Sequence, residues 1–135
     1  MIDLHLHTTA SDGNLSPAAL VARAAAAGLT TISVTDHDTF AGLFEARTAA
    51  GNLGLRIVNG VEITAIENER DVHLLAYFVD PADPGLTSFL LRQRTDRIRR
   101  IREIARRLAR LGCPIDVEPL LASTPSSDGR SVGRP

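Results

Sequence analysis

Apolar and polar positions change period several times along the chain, and each change marks an element. From Ile2 to His7 the alternation is strict, with Ile2, Leu4 and Leu6 on one face and Asp3, His5 and His7 on the other. That is the pattern of a strand with one packed and one polar face. Ser16-Pro17 then supplies an N-cap and a first-turn proline, alanines follow, and Gly28 stands where a C-terminal cap belongs, so a helix is expected over residues 16–27. Thr31-Ile32-Ser33-Val34-Thr35 and Arg56-Ile57-Val58-Asn59-Gly60-Val61 are β-branched runs, and residues 39–50 between them read as helix. Strands alternating with helices in this way predict successive βα units and an α/β fold with a parallel sheet.

After Ile63 the pattern changes, since Thr64-Ala65-Ile66 and residues 71–79 flank a polar stretch, Glu67-Asn68-Glu69-Arg70, which predicts a hairpin with a four-residue loop. In that register Ile66 pairs with Asp71 and Thr64 with His73. Pro81 and Pro84-Gly85 punctuate the chain before a long helix over residues 87–111, with Ile98, Ile101, Ala105, Leu108 and Leu111 as one apolar stripe. Gly112 and Pro114 stop it. Residues 123–135 are rich in Ser, Pro and Gly and read as a loop.

Composition adds few constraints beyond one globular core. The chain has 135 residues, 44% hydrophobic and 23% charged, with a formal net charge of −1 that excludes a general electrostatic attraction to nucleic acid or anionic membrane. Every one of the 15 cationic residues is Arg. Phosphate-binding forks and a bias toward Arg codons both produce that pattern, and the codon bias is the simpler reading. The seven arginines from Arg97 to Arg110 are read as the solvated face of the long helix. Cys113 has no internal disulfide partner, no signal segment precedes Ile2, and the apolar stretch over residues 24–29 is far short of the roughly 20 residues a bilayer requires. A cytoplasmic location without membrane contact is the expectation.

The chemistry lies on the polar face. Two imidazoles at i and i+2, His5 and His7, can reach one cation, with Asp3 or a carbonyl orienting a ring, although the tripeptide alone is better read as solvent-facing histidines at a strand end. Asp36-His37-Asp38 falls where the second strand gives way to a helix, where α/β sheets carry functional loops. One of those aspartates is expected to cap the helix. Glu62 closes the third strand, and the hairpin brings His73 back as its same-face diagonal neighbour. Asp12, in Ser11-Asp12-Gly13, is either a further ligand or an Asx turn. All four histidines thus fall on strand ends or faces beside carboxylates. Imidazole and carboxylate without thiolate points to Zn, Mn or Fe.

Asp3-Leu4-His5-Leu6-His7, Ser11-Asp12-Gly13, Thr35-Asp36-His37-Asp38, Gly60-Val61-Glu62 and Asp71-Val72-His73 resemble, in order and spacing, the first motifs of the PHP (polymerase and histidinol phosphatase) phosphoesterases. The resemblance implies a distorted (β/α)7 TIM-like barrel, here in part, with a helical insertion. It divides the chain into residues 1–80 carrying the metal site, 81–122 as the insertion, and 123–135 leading to a C-terminal part. It further implies that His5 and His7 hold one ion and that Glu62 bridges it to a second ion also held by His73. Asp12 with His37 serve a third, giving two or three divalent ions in all. The long Arg-rich helix is similar to the insertion of the branch acting on nucleoside 3′,5′-bisphosphates and RNA 5′ ends. The closing Ser131-Val132-Gly133-Arg134-Pro135 resembles that branch's Gly-Arg-Pro-His segment, which makes Arg134 a candidate contact for substrate phosphate.

The expected reaction is phosphate-ester hydrolysis of a phosphorylated small molecule, nucleotide or short RNA by metal-activated water, with no side chain as nucleophile. A histidinol-phosphate phosphatase and a polymerase-associated exonuclease are the rivals within enzymes, and a non-catalytic metal-binding remnant is the rival outside them. The family's later histidine and terminal Asp-x-His motif are not in this sequence. Six of nine ligands imply weak metal binding, marginal stability and little activity.

Overall fold

The computed structural model describes residues 1–68 and 70–122. Along the chain run β1 (Ile2–Leu6), α1 (Pro17–Ala26), β2 (Thr31–Val34), α2 (Leu43–Leu53), β3 (Arg56–Glu67), β4 (Arg70–Tyr77), α3 (Pro84–Arg110) and the short α4 (Glu118–Ala122). One sheet holds all four strands in the order β1-β2-β3-β4. β1, β2 and β3 are parallel, and β4 returns antiparallel to β3.

Because each parallel strand lies beside its predecessor, right-handed crossovers put both connecting helices on the same face. The core sits there, built from Val21 and Ala24 of α1, Ile32 and Val34 of β2, and Ala46 and Ala50 of α2, with Leu6 and Ile57 packed against them. Burying a side chain such as Ile32 or Val21 completely contributes about 1.5–3 kcal/mol. The strand period turns the alternate residues, His5, Ser33, Thr35, Gly60 and Glu62, to the face opposite α1 and α2. On that face Tyr77 of β4 donates its hydroxyl to the Leu4 carbonyl of β1 over 2.9 Å, joining the two edge strands. The sheet is therefore curled into an α/β half-barrel. Gly60 permits the curl, since a Cβ there would lie 2.2 Å from Ser33 Oγ and 2.8 Å from Thr35 Cγ2.

Several boundaries differ from expectation for local reasons. α1 forms as expected, with Ser16 Oγ accepting from the Ala19 N–H. α2 begins at Leu43 rather than at residue 39, and neither Asp36 nor Asp38 caps it. Both carboxylates are engaged elsewhere, Gly42 is the uncapped start, and a Cβ on Gly42 would sit 2.8 Å from Asp36 Oδ2. The hairpin has the expected register, but Glu67 also pairs with Arg70, which lengthens the ladder and shortens the loop. α3 starts three residues early because Asp83 accepts from the Leu86 N–H and Pro84 fits the first turn. Its stripe is half-buried at Ile98, Ile101, Ala105 and Leu108, and Leu111 is exposed. Arg97 departs from the solvated-face reading, being 8% exposed. No helix among the described residues is long and apolar enough to cross a membrane.

Candidate metal centre

Glu62, near the end of the parallel part of β3, is 3% exposed and lies among all four histidines. His5 Nε2 is 2.8 Å and His7 Nε2 3.0 Å from Glu62 Oε2, while His73 Nδ1 meets Oε1 and His37 Nδ1 lies 3.8 Å from Oε1. The rings form a chain, with centroids 5.0 Å apart for His5–His7, 4.8 Å for His7–His37 and 5.0 Å for His37–His73. Asp12 closes one side, its Oδ1 3.1 Å from His7 Nδ1 and its Oδ2 3.4 Å from His37 Nε2. The result is an open cup. Glu62 and His37 form its floor, and His5, Asp12 and His73 form an exposed rim.

Each position follows from the sheet. His5 lies on β1 and His7 just beyond it. A parallel bridge between His37 and Glu62 extends the β2–β3 pairing past Val34, through the Asp38 N–H to the Glu62 carbonyl and the Glu62 N–H to the Asp36 carbonyl. His73 pairs with Thr64 and therefore sits diagonal to Glu62. The loop carrying Asp12 is tied down by Asp36, which is 1% exposed and accepts from the Thr8 N–H at 2.8 Å, Thr8 Oγ1 at 2.7 Å and Ser11 Oγ at 2.6 Å. Ser11 Oγ is also 3.4 Å from His7 Nδ1. Asp3 accepts from the His5 backbone N–H rather than orienting a ring.

The electrostatics suit cation binding. Burial raises the Glu62 carboxyl, but the His5 and His73 hydrogen bonds and the nearby His37 and His7 outweigh it and hold it below the usual carboxylate range. Burial lowers the His37 imidazole below its ordinary value more than Glu62 and Asp12 raise it, with His7 and Arg97 adding to the lowering. A neutral imidazole is the form that ligates. Buried His37 Nδ1 has no hydrogen-bond partner among the described residues, an orphaned lone pair or N–H that a buried site does not normally tolerate. Three sets of ligand atoms lie within 4.8 Å of one another: His5, His7 and Glu62; His7, Asp12 and His37; and His37, Glu62 and His73. The donor set fits divalent cations.

Of the residues expected from sequence, His5, His7, Asp12, His37, Glu62 and His73 are brought together, whereas Arg134 lies outside the described residues. Thr8, Ser11 and Asp36 as loop supports, and Arg97 behind Asp38, are additions from the structure. Asp36 was visible in sequence as a cap candidate and as a member of the Thr35-Asp36-His37-Asp38 motif, with no role in holding the Asp12 loop.

Residues 3–94 match the family model for the PHP domain. A 5′-3′ exoribonuclease of Haemophilus influenzae is 42% identical over 112 residues, which is 83% of this chain and 41% of that protein. A 3′,5′-nucleoside bisphosphate phosphatase of Chromobacterium violaceum is 39% identical over 111 residues, 82% of this chain and 39% of that one. A solved structure from Bifidobacterium adolescentis, named provisionally as a metal-dependent phosphoesterase, superposes with a TM-score of 0.84 at 36% identity, over 98% of this chain and 46% of its own. The chain thus spans about two fifths of the length of the curated relatives it matches.

Proposed function

The chain belongs to the PHP domain family, and on that premise we propose that it is the metal-binding part of a phosphoesterase that hydrolyses nucleotide phosphate esters. The substrates are 3′,5′-bisphosphate nucleotides or short RNA 5′ ends. The observation that carries this reading is Glu62, one buried carboxylate in reach of four imidazoles. His5 and His7 with Glu62 would hold one ion and Glu62 with His73 and His37 a second, with His7, Asp12 and His37 available for a third, each Mn, Zn or Fe. Such ions, when bound, neutralise phosphoryl oxygens and activate water as the nucleophile.

The chain's own residues do the positioning. Glu62, shared between two ligand sets, fixes their spacing, and the exposed rim leaves the cup open to a phosphate group. Asp36 and Ser11 hold the Asp12 loop against His7. The four-stranded half-barrel is read as the first part of a distorted seven-stranded barrel, with α3 and α4 as its helical insertion.

The test is phosphate release from adenosine 3′,5′-bisphosphate by the purified chain with Mn²⁺. Release that a chelator and Glu62→Ala both abolish supports the reading. Release that Glu62→Ala leaves intact places the chemistry elsewhere.

A further inference from the structure

The helix α3 is tied by polar side chains to the segments that carry His37 and Glu62. Arg97 Nη2 donates to Asp38 Oδ2 at 2.6 Å and to Thr64 Oγ1 at 2.7 Å. Arg94 Nη1 donates to the Asp38 carbonyl at 2.6 Å, and Gln93 Nε2 to the Thr64 carbonyl at 2.9 Å. Asp38 Oδ1 in turn accepts from the Thr64 N–H at 3.0 Å. Arg97, Asp38 and Thr64 are all buried. These ties all end on Asp38 or Thr64, the residues one after His37 and two after Glu62.

Asp38 is held at φ +53°, in the left-handed region that non-glycine residues seldom occupy and that Asp and Asn tolerate best. Its N–H bonds the Glu62 carbonyl, so its backbone couples the two ligand-bearing segments directly. An anchor for α3 alone could be placed anywhere along β3 or β4. This one closes on Asp38, which with Asp36 makes the two backbone bonds that set how His37 faces Glu62.

We propose that Arg97 is a positioning residue for the metal centre: by clamping Asp38 against Thr64 it fixes the main chain that presents His37 to Glu62. The proposal rests on the metal-binding reading of the cup. The Arg97 bonds given above go to Asp38 and Thr64, not to a metal-ligand side chain. Its guanidinium holds one geometry of the Asp36-His37-Asp38 segment, and the position of α3 and the geometry of the cup are thereby one coupled variable.

The test uses the full chain, metal-free, titrated with Mn²⁺ while free Mn²⁺ is read by electron paramagnetic resonance. Arg97→Met alone strands the Asp38 carboxylate in a buried site and lowers stability for that reason. Arg97→Met/Asp38→Asn removes that charge, keeps an acceptor for the Thr64 N–H and tolerates the left-handed backbone. The expected result is a double variant with its melting temperature largely restored, Mn²⁺ binding weakened about 10–100-fold at a site using His37, and an altered visible spectrum with Co²⁺. Wild-type Mn²⁺ affinity and an unchanged Co²⁺ spectrum in that variant would reduce Arg97 to an anchor for α3 and overturn the proposal. If the double variant does not fold, Arg97→Lys, which keeps the charge and shortens the reach, carries the same two outcomes. A wild-type chain that binds no Mn²⁺ removes the metal centre itself, and the proposal falls with it.

Discussion

Replacing Asp36 tests how the Asp12 loop is held. In Asp36→Ala three donors lose their acceptor together: the Thr8 N–H, Thr8 Oγ1 and Ser11 Oγ. Thr8 is fully buried and Ser11 half-buried, so water cannot replace every bond. Each buried group left unsatisfied costs about 1–3 kcal/mol. Allowing for a rotating hydroxyl and some water entry, the loss should be about 3–5 kcal/mol, a large share of the about 5–15 kcal/mol that stabilises an ordinary domain. Asp36→Asn behaves differently. Its carbonyl oxygen still accepts from the Thr8 N–H and Ser11 Oγ, and its amide can donate to Thr8 Oγ1, so the loss should be about 1 kcal/mol. Urea unfolding of both variants, metal-free, followed by circular dichroism measures the difference. Equal losses, or an alanine variant within about 1 kcal/mol of wild type, would refute the idea that Asp36 is the acceptor holding this loop.

Gly60→Ala puts a Cβ 2.2 Å from buried Ser33 Oγ and should lower stability by about 1–3 kcal/mol in a thermal melt. Ser33→Ala in the same chain should recover part of that loss, since Ser33 Oγ has no hydrogen-bond partner among the described residues and gives up little when removed. Acid should destabilise the metal-free chain in two stages. The folded His37 value lies below the ordinary 6.5, so the unfolded state takes up a proton first and stability falls as pH drops through 6.5 toward the folded value. The folded Glu62 value lies below the ordinary 4.5, so its contribution is present above 4.5 and disappears as pH falls through the folded value. Unfolding free energies that stay flat between pH 7.5 and 5.5, or a slope unchanged in His37→Asn, would contradict the burial of a neutral His37.

The period-two alternation of Ile2 to His7 and the β-branched run around Ile32 made the strands legible, because one face had to pack against helices and the other could not. The hairpin register followed from the same parity, and with it the nearness of His73 to Glu62. What stayed hidden was long-range polar pairing. Asp36 and Asp38 sit where helix caps belong, and only the fold shows that Thr8 and Ser11 claim one while Arg97, 59 residues along, claims the other. Gly42 starts α2 for a similar reason, since its lack of a side chain is required by the packing of Asp36 and Thr8 above it. Arg97 looks like its six arginine neighbours in sequence. Its burial depends on where α3 crosses β3, and local periodicity does not encode that crossing.

Whether Glu62 organises cations decides what the cup is for. Titrating the metal-free chain with Mn²⁺ by isothermal calorimetry, beside Glu62→Ala of confirmed secondary structure, addresses this directly. The prediction is at least two Mn²⁺ bound by the wild-type chain, and affinity lowered by more than about a hundredfold, beyond the range for outer-shell partners, wherever Glu62 is shared. Equal Mn²⁺ affinity and stoichiometry in the two chains would show that the four histidines gather around Glu62 for stability alone, and the metal-centre reading would be wrong.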